Sequence, residues 1–121
     1  MVKTHGLTHI SLAVLDPECS LRFYEQVFGV KEYFRDENSI QVQGPGGYDV
    51  IAFEKSAAEA GKAGGITHFG FRLLDPKDID QAVQEVTRAG GIIVKRGEFA
   101  PGFPFVYVHD PDGYEIEIWY E

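Results

Sequence analysis

Thr8-His9-Ile10-Ser11-Leu12-Ala13-Val14-Leu15-Asp16-Pro17 and Thr67-His68-Phe69-Gly70-Phe71-Arg72-Leu73-Leu74-Asp75-Pro76 are two versions of one pattern, and Thr, His, Leu, Asp and Pro recur at a constant offset of 59. Each begins as a mostly apolar run of strand length and stops at Asp-Pro. An aspartate there caps a helix by accepting a backbone N–H bond. The proline suits the first helical turn, where its missing N–H has no partner to lose. Past Asp16-Pro17, Leu21, Tyr24, Val27 and Phe28 recur at helical spacing and Gly29 ends the helix. Past Asp75-Pro76, the apolar positions Ile79, Val83 and Val86 do the same before Gly90-Gly91.

Working outward, Lys31–Arg35, Ser39–Gln43 and Tyr48–Glu54 read as strands, parted by Asp36-Glu37-Asn38 and Gly44-Pro45-Gly46-Gly47. In the second copy the strands are Ile66–Leu73, Ile92–Arg96, Phe105–His109 and Tyr114–Tyr120. Gly47-Tyr48-Asp49-Val50 corresponds to Gly113-Tyr114-Glu115-Ile116, so the ends of the copies match as well. A repeat is the feature that sets an architecture. This one predicts an α+β fold of two βαβββ modules forming paired half-barrels. Module 1 covers about 5–54 and module 2 about 66–121, within a single domain over residues 1–121. Residues 55–65, small, polar and glycine-containing, read as the linker.

Composition narrows the function. Eleven basic against nineteen acidic residues give a formal charge of −8, which disfavours nucleic acid and anionic membranes as partners. Cys19 is the lone cysteine, so no internal disulfide forms and a reducing cytoplasm is the expected setting. No signal peptide is visible at the start, and no apolar run approaches a membrane span. A chain of 121 residues buries only about two-thirds of its unfolded surface, so pairing as a homodimer is expected.

His9 and His68 occupy equivalent places in the two copies, and Glu117 lies in the last strand. Two imidazoles and a carboxylate with no fourth protein ligand are the donor set of an open divalent-metal site. One strand histidine alone is commonly a core residue bonded to backbone; two at repeat-equivalent positions with a carboxylate favour a metal. Period-two alternation places Ser11 beside His9, Gly70 and Arg72 beside His68, and Glu115 and Trp119 beside Glu117. Gly70 leaves room near the metal. Arg72 is a candidate to hold a substrate carboxylate, with pairing to Glu115 as the other reading. Trp119 and Phe105 would wall a carbon skeleton. Tyr107, on the face of Phe105, is either a core aromatic or a donor to an oxygen at the metal.

These motifs, with Phe23-Tyr24, Phe28-Gly29 and Asp110-Pro111-Asp112-Gly113-Tyr114, resemble the vicinal oxygen chelate superfamily over nearly the whole chain. That group includes glyoxalase I, extradiol dioxygenases, fosfomycin-resistance enzymes and bleomycin-resistance proteins. The resemblance implies metal ligands at His9, His68 and Glu117, with the family's fourth position falling on Ile51 or Ala52, neither able to bind metal. Asp49 or Glu54 would serve only after a register shift. The chain therefore resembles three-ligand branches more than glyoxalase I, and little activity on a glutathione hemithioacetal is expected. Tyr107 and Ser11 match a tyrosine and a hydroxyl residue of the fosfomycin branch. Loop 97–104 supplies Glu98 and phenylalanines where that branch has a lysine, which disfavours a phosphonate.

The expected activity is a metal-dependent conversion of a small oxygen-bearing molecule, dioxygenase-like or of lyase/isomerase type. One divalent ion per site is expected, and Fe, Mn, Ni, Co and Zn all share these ligands. His9 is expected to complete a site whose other ligands come from a partner copy, if modules pair across subunits. The alternatives are a metal-free protein that sequesters an antibiotic or another small aromatic compound, as bleomycin-resistance proteins do, and a non-catalytic sensor.

Overall fold

The structure is a computed structural model describing residues 1–121. It divides into two compact units, Met1–Ala60 and Gly61–Glu121.

In the first unit β1 (His9–Val14) leads into α1 (Pro17–Phe28), then β2 (Lys31–Arg35), β3 (Ser39–Gln43) and β4 (Val50–Lys55). The sheet order is β1-β4-β3-β2, with β1 parallel to β4 and the other pairs antiparallel. The helix signals act as read. Asp16 accepts from Glu18 N at 3.0 Å, Pro17 stands in the first turn, and Gly29 closes the helix at φ 67°. The left-handed φ of Gly29 is costly for any residue with a Cβ. Its buried stripe is Ser20, Phe23 and Tyr24, displaced by about one residue from the expected set. These pack with Leu12, Val14, Ile40, Val42, Ile51 and Phe53, one face of the sheet and the core of the unit.

The second unit repeats the plan. β5 (Phe69–Arg72) is followed by a 3-10 turn (Pro76–Asp78) and α2 (Ile79–Arg88), then β6 (Ile92–Glu98), β7 (Pro104–His109) and β8 (Glu115–Trp119). The order is β5-β8-β7-β6, again with one parallel pair, β5 with β8. Asp75 caps the 3-10 turn through Lys77 N at 2.9 Å, not the α-helix itself, which begins three residues later than the proline signal suggests. Ile79 and Val86 of α2 and Val106, Val108, Ile116 and Ile118 of the sheet are buried. The alternate residues of β7 and β8 stay partly open, so alternation leaves one covered and one accessible face.

Repetition extends to an irregularity. A β-bulge interrupts β2 between Glu32 and Phe34, and another interrupts β6 between Ile93 and Lys95. An extra residue in one strand sets two side chains against one on the partner, and so breaks the period-two rule past it.

Candidate active site on the second sheet

The register across the second sheet aligns Lys95 with Tyr107, Tyr107 with Glu117, and Glu117 with Gly70. His68 immediately precedes β5. Its Nε2 lies 3.1 Å from Glu117 Oε2, and both side chains are partly exposed, 32% and 13%. Its other ring nitrogen, Nδ1, is 3.3 Å from the Thr67 hydroxyl. One nitrogen is thus turned to the carboxylate while the other is held from behind, the support that metal-binding imidazoles use to fix ring orientation.

Tyr107 completes this group. Its ring meets His68 edge-on at 5.2 Å between centroids. Its hydroxyl donates to the Glu117 carboxylate. Burial, then the Glu117 and Glu115 charges and the hydrogen bond, push its ionisation above the ordinary tyrosine range. Tyr107 therefore stays a neutral O–H donor through neutral pH.

The aromatic wall rests on glycine. A Cβ on Gly70 would come 2.6 Å from the Trp119 ring and 2.8 Å from the Glu117 carbonyl oxygen. One on Gly97 would come 2.9 Å from the Phe105 ring. Two strand glycines let Trp119 and Phe105 lie flat on the sheet. The expectation that Gly70 leaves room for a ligand is corrected here, because Trp119 fills that room. Phe99 stacks on Phe105 at 4.7 Å, and Phe105 meets Tyr107 edge-on at 5.5 Å, which brings loop 97–104 to the site. Gly70→Ala should lower stability by about 1–3 kcal/mol, as overpacking does. Trp119 is the only tryptophan in the chain, so its fluorescence should shift as the ring is displaced; an unchanged spectrum would contradict this packing.

Arg72 does not pair with Glu115. Its guanidinium donates to the Glu121 carbonyl oxygen, while Glu115 lies 3.7 Å from His109 Nε2. His109, the last residue of β7, stands opposite Glu115 on the accessible face. β5 supplies the physical reason for Arg72: Arg72 registers with Trp119, four residues from Glu115 and at the opposite end of β8.

The first sheet shows the same rows with other chemistry. His9 and Ser11 are exposed on β1. Ser11 registers with Ala52, Ala52 with Gln41, and Gln41 with Phe34. Ser11 stands where Gly70 does in the repeat, so Ala52 is the counterpart of Glu117. Ile51 faces the core at 4% exposure. Asp49 is not displaced toward the site, because its carboxylate accepts from Gly44 N at 3.0 Å and ties the β3–β4 turn. The structure thus brings together His68, Glu117 and Tyr107, with Phe105 and Trp119 beside them, whereas His9 and Ser11 belong to the first unit. No three potential ligand side chains are gathered within either unit.

Sequence reading missed Lys95 and Phe99. Lys95 was hidden by the bulge, which no local composition announces. Phe99 was visible as a loop aromatic, but its stacking partner was not.

The family described as the Glyoxalase/Bleomycin resistance protein/Dioxygenase superfamily matches residues 6–118. A probable trivalent organoarsenical cleaving enzyme of Bacillus subtilis (strain 168) is 28% identical over 118 residues, spanning 93% of this chain and 77% of that protein. Among solved structures, a fosfomycin resistance protein, FosX, from Listeria monocytogenes superposes with a TM-score of 0.82 at 18% identity, covering 98% of this chain and 95% of its own. A family enzyme from Burkholderia phytofirmans PsJN gives 0.79 at 21% identity, covering 94% and 97%. These structural likenesses carry the fold alone. With the internal repeat and the match over residues 6–118, the chain belongs to the Glyoxalase/Bleomycin resistance protein/Dioxygenase superfamily.

Proposed function

We propose that this protein is a metal-dependent enzyme acting on a small oxygen-bearing molecule, by dioxygenase-like or lyase/isomerase chemistry. The observation that carries the reading is the His68 Nε2 to Glu117 Oε2 approach of 3.1 Å on an accessible sheet face, with Thr67 behind the imidazole. An imidazole and a carboxylate so placed suit a divalent ion of Fe, Mn, Ni, Co or Zn type. His9 is the third ligand in this reading, and the protein is proposed to act as a homodimer. When bound, the metal supplies Lewis acidity toward oxygens of the substrate.

The chain's own groups do the rest. Thr67 holds the His68 ring. Tyr107, kept protonated, gives its one O–H to Glu117 and, on leaving that partner, donates it where negative charge develops on an oxygen. Phe105 and Trp119 present apolar surface that excludes water from one side. Ser11, exposed on β1, is a further candidate hydroxyl for substrate. Arg72, engaged by the Glu121 carbonyl, contacts substrate only after leaving that partner.

Ala52 argues against glyoxalase I chemistry, which uses a side-chain ligand and general base at that position in the family. The relative from Bacillus subtilis does not transfer its substrate directly. Trivalent arsenic is soft and prefers paired thiolates, and Cys19 on α1 is the only thiol here. No helix is long and apolar enough to cross a membrane. A cytoplasmic setting belongs to the same proposal.

Metal analysis of protein purified without chelator tests the reading. About one equivalent of a first-row metal per chain, or uptake of one on reconstitution, is expected. No uptake after reconstitution would overturn it and favour a metal-free ligand-sequestering protein.

A further inference from the structure

We propose that Lys95 is the specificity residue of this site and that the substrate is a planar molecule bearing an anionic group. The inference rests on the active-site reading above and names the substrate class for it.

The first observation is the bulge. Between Ile93, opposite Val108, and Lys95, opposite Tyr107, β6 carries one residue more than β7. Val108 is buried and belongs to the core face. Simple alternation from Ile93 would put residue 95 on that core face. The bulge instead registers Lys95 with Tyr107, in the row that continues to Glu117. Bulges that re-aim one side chain are frequent next to active sites.

The second observation is the state of the cations. The second sheet carries three, Arg72, Lys95 and Arg96. Arg72 donates to the Glu121 carbonyl and Arg96 is bonded to Asp80 at 2.6 Å. Lys95 has neither an acid nor a carbonyl partner, in a chain with a formal charge of −8. An ammonium left unpaired among so many carboxylates is available to a ligand's anion.

The third observation is the internal control. The bulge of the first unit sets Phe34 opposite Gln41 in the equivalent row. The bulge is common to both units, and the cation is peculiar to the one that holds the His68–Glu117 pair. Beside Lys95, the Phe105 ring lies against Gly97 and is itself stacked on Phe99. A flat apolar surface with one free cation at its margin fits a planar skeleton with a carboxylate or similar oxyanion.

The test uses chelator-treated protein, so that no carboxylate binds through a metal. Benzoate and 1-naphthoate are titrated against the isosteric benzamide and 1-naphthamide, with Trp119 fluorescence and amide NMR shifts in β6 and β7 as readouts. The acids should bind about fivefold more tightly than their amides, the size of a partly exposed ion pair, and the preference should shrink as salt is raised. Lys95→Gln should abolish the preference and Lys95→Arg should retain it. Equal binding of acid and amide by the native chain, no binding of any of the four probes at millimolar concentration, or a preference that survives Lys95→Gln would each overturn the proposal. Mn(II) titration of the same proteins keeps the two readings apart. Lys95→Gln should bind the metal as the native chain does. A native chain that takes no metal yet shows the Lys95-dependent preference would defeat the metal reading and leave this one intact.

Discussion

Replacing His68 with alanine should abolish tight metal binding, lowering affinity by well over a hundredfold in a competitive chelator titration. The estimate follows from the ranking of ligand effects. Removing a residue that merely orients a ligand typically costs about 10–100-fold in metal affinity, so removing the ligand costs more. Thr67→Val supplies the comparison within one protein. It deletes the hydroxyl 3.3 Å from Nδ1 while leaving the imidazole, and should cost about tenfold. Neither change should unfold the chain. His68 lies outside the regular strand and its side chain is about one-third exposed, so stability should move by no more than about 0.5–1 kcal/mol in urea. Unchanged metal affinity in His68→Ala would remove Glu117 and His68 from the proposed ligand set together, because the case for the carboxylate rests on its approach to the imidazole.

Much of this site was legible in the sequence because it repeats. The offset of 59 aligned His9 with His68 without any knowledge of pairing, and Asp16-Pro17 with Gly29 delimited α1 correctly. Those signals are local: a cap, a proline and a left-handed glycine act within one turn of chain. Where the answer depended on which residue lies opposite which, sequence reasoning stopped short. Ile51 and Ala52 remained alternatives until the pairing of Ser11 with Ala52 separated them. β5 begins at Phe69 although Ile66 and Thr67 continue the apolar, β-favouring pattern, because strand ends are set by partners and not by propensity. The bulges at residues 32–34 and 93–95 are invisible to an alternation rule that assumes none, and Lys95 was lost with them. Arg72 was placed on the correct face, but its partner, the Glu121 carbonyl, lies past the end of β8 where no periodicity reaches.

The second large effect is expected at Asp110, in the turn between β7 and β8. Asp110-Pro111-Asp112-Gly113-Tyr114 joins β7, which carries Tyr107, to β8, which carries Glu117. Asp110 is only 4% exposed. Its carboxylate accepts from Asp112 N at 2.9 Å and from Tyr114 N at 3.0 Å. The backbone closes the same turn, with Asp110 N bonded to the Tyr114 carbonyl and Gly113 N to the Asp110 carbonyl, both at 3.0 Å. Gly113 stands at φ 92°, which a side chain would strain. The equivalent turn of the first unit is tied from its other side, by Asp49 accepting from Gly44 N. Asp110→Ala strands two N–H donors, one of them in the 7%-exposed Tyr114. Hydrogen bonds to charged groups contribute about 1.5–3 kcal/mol, and a buried donor left unpaired costs a comparable amount. The expected loss is therefore about 3 kcal/mol or more in a urea melt monitored by Trp119 fluorescence. Asp110→Asn keeps one acceptor oxygen and should lose roughly half as much, because it removes the charge and not the bond. The His68–Glu117 approach depends on where β8 begins relative to β7, so metal affinity should weaken in Asp110→Ala even at temperatures where the chain remains folded. A melt within about 0.5 kcal/mol of the native protein would show that backbone bonds alone hold this turn, and that the register of the site is set elsewhere.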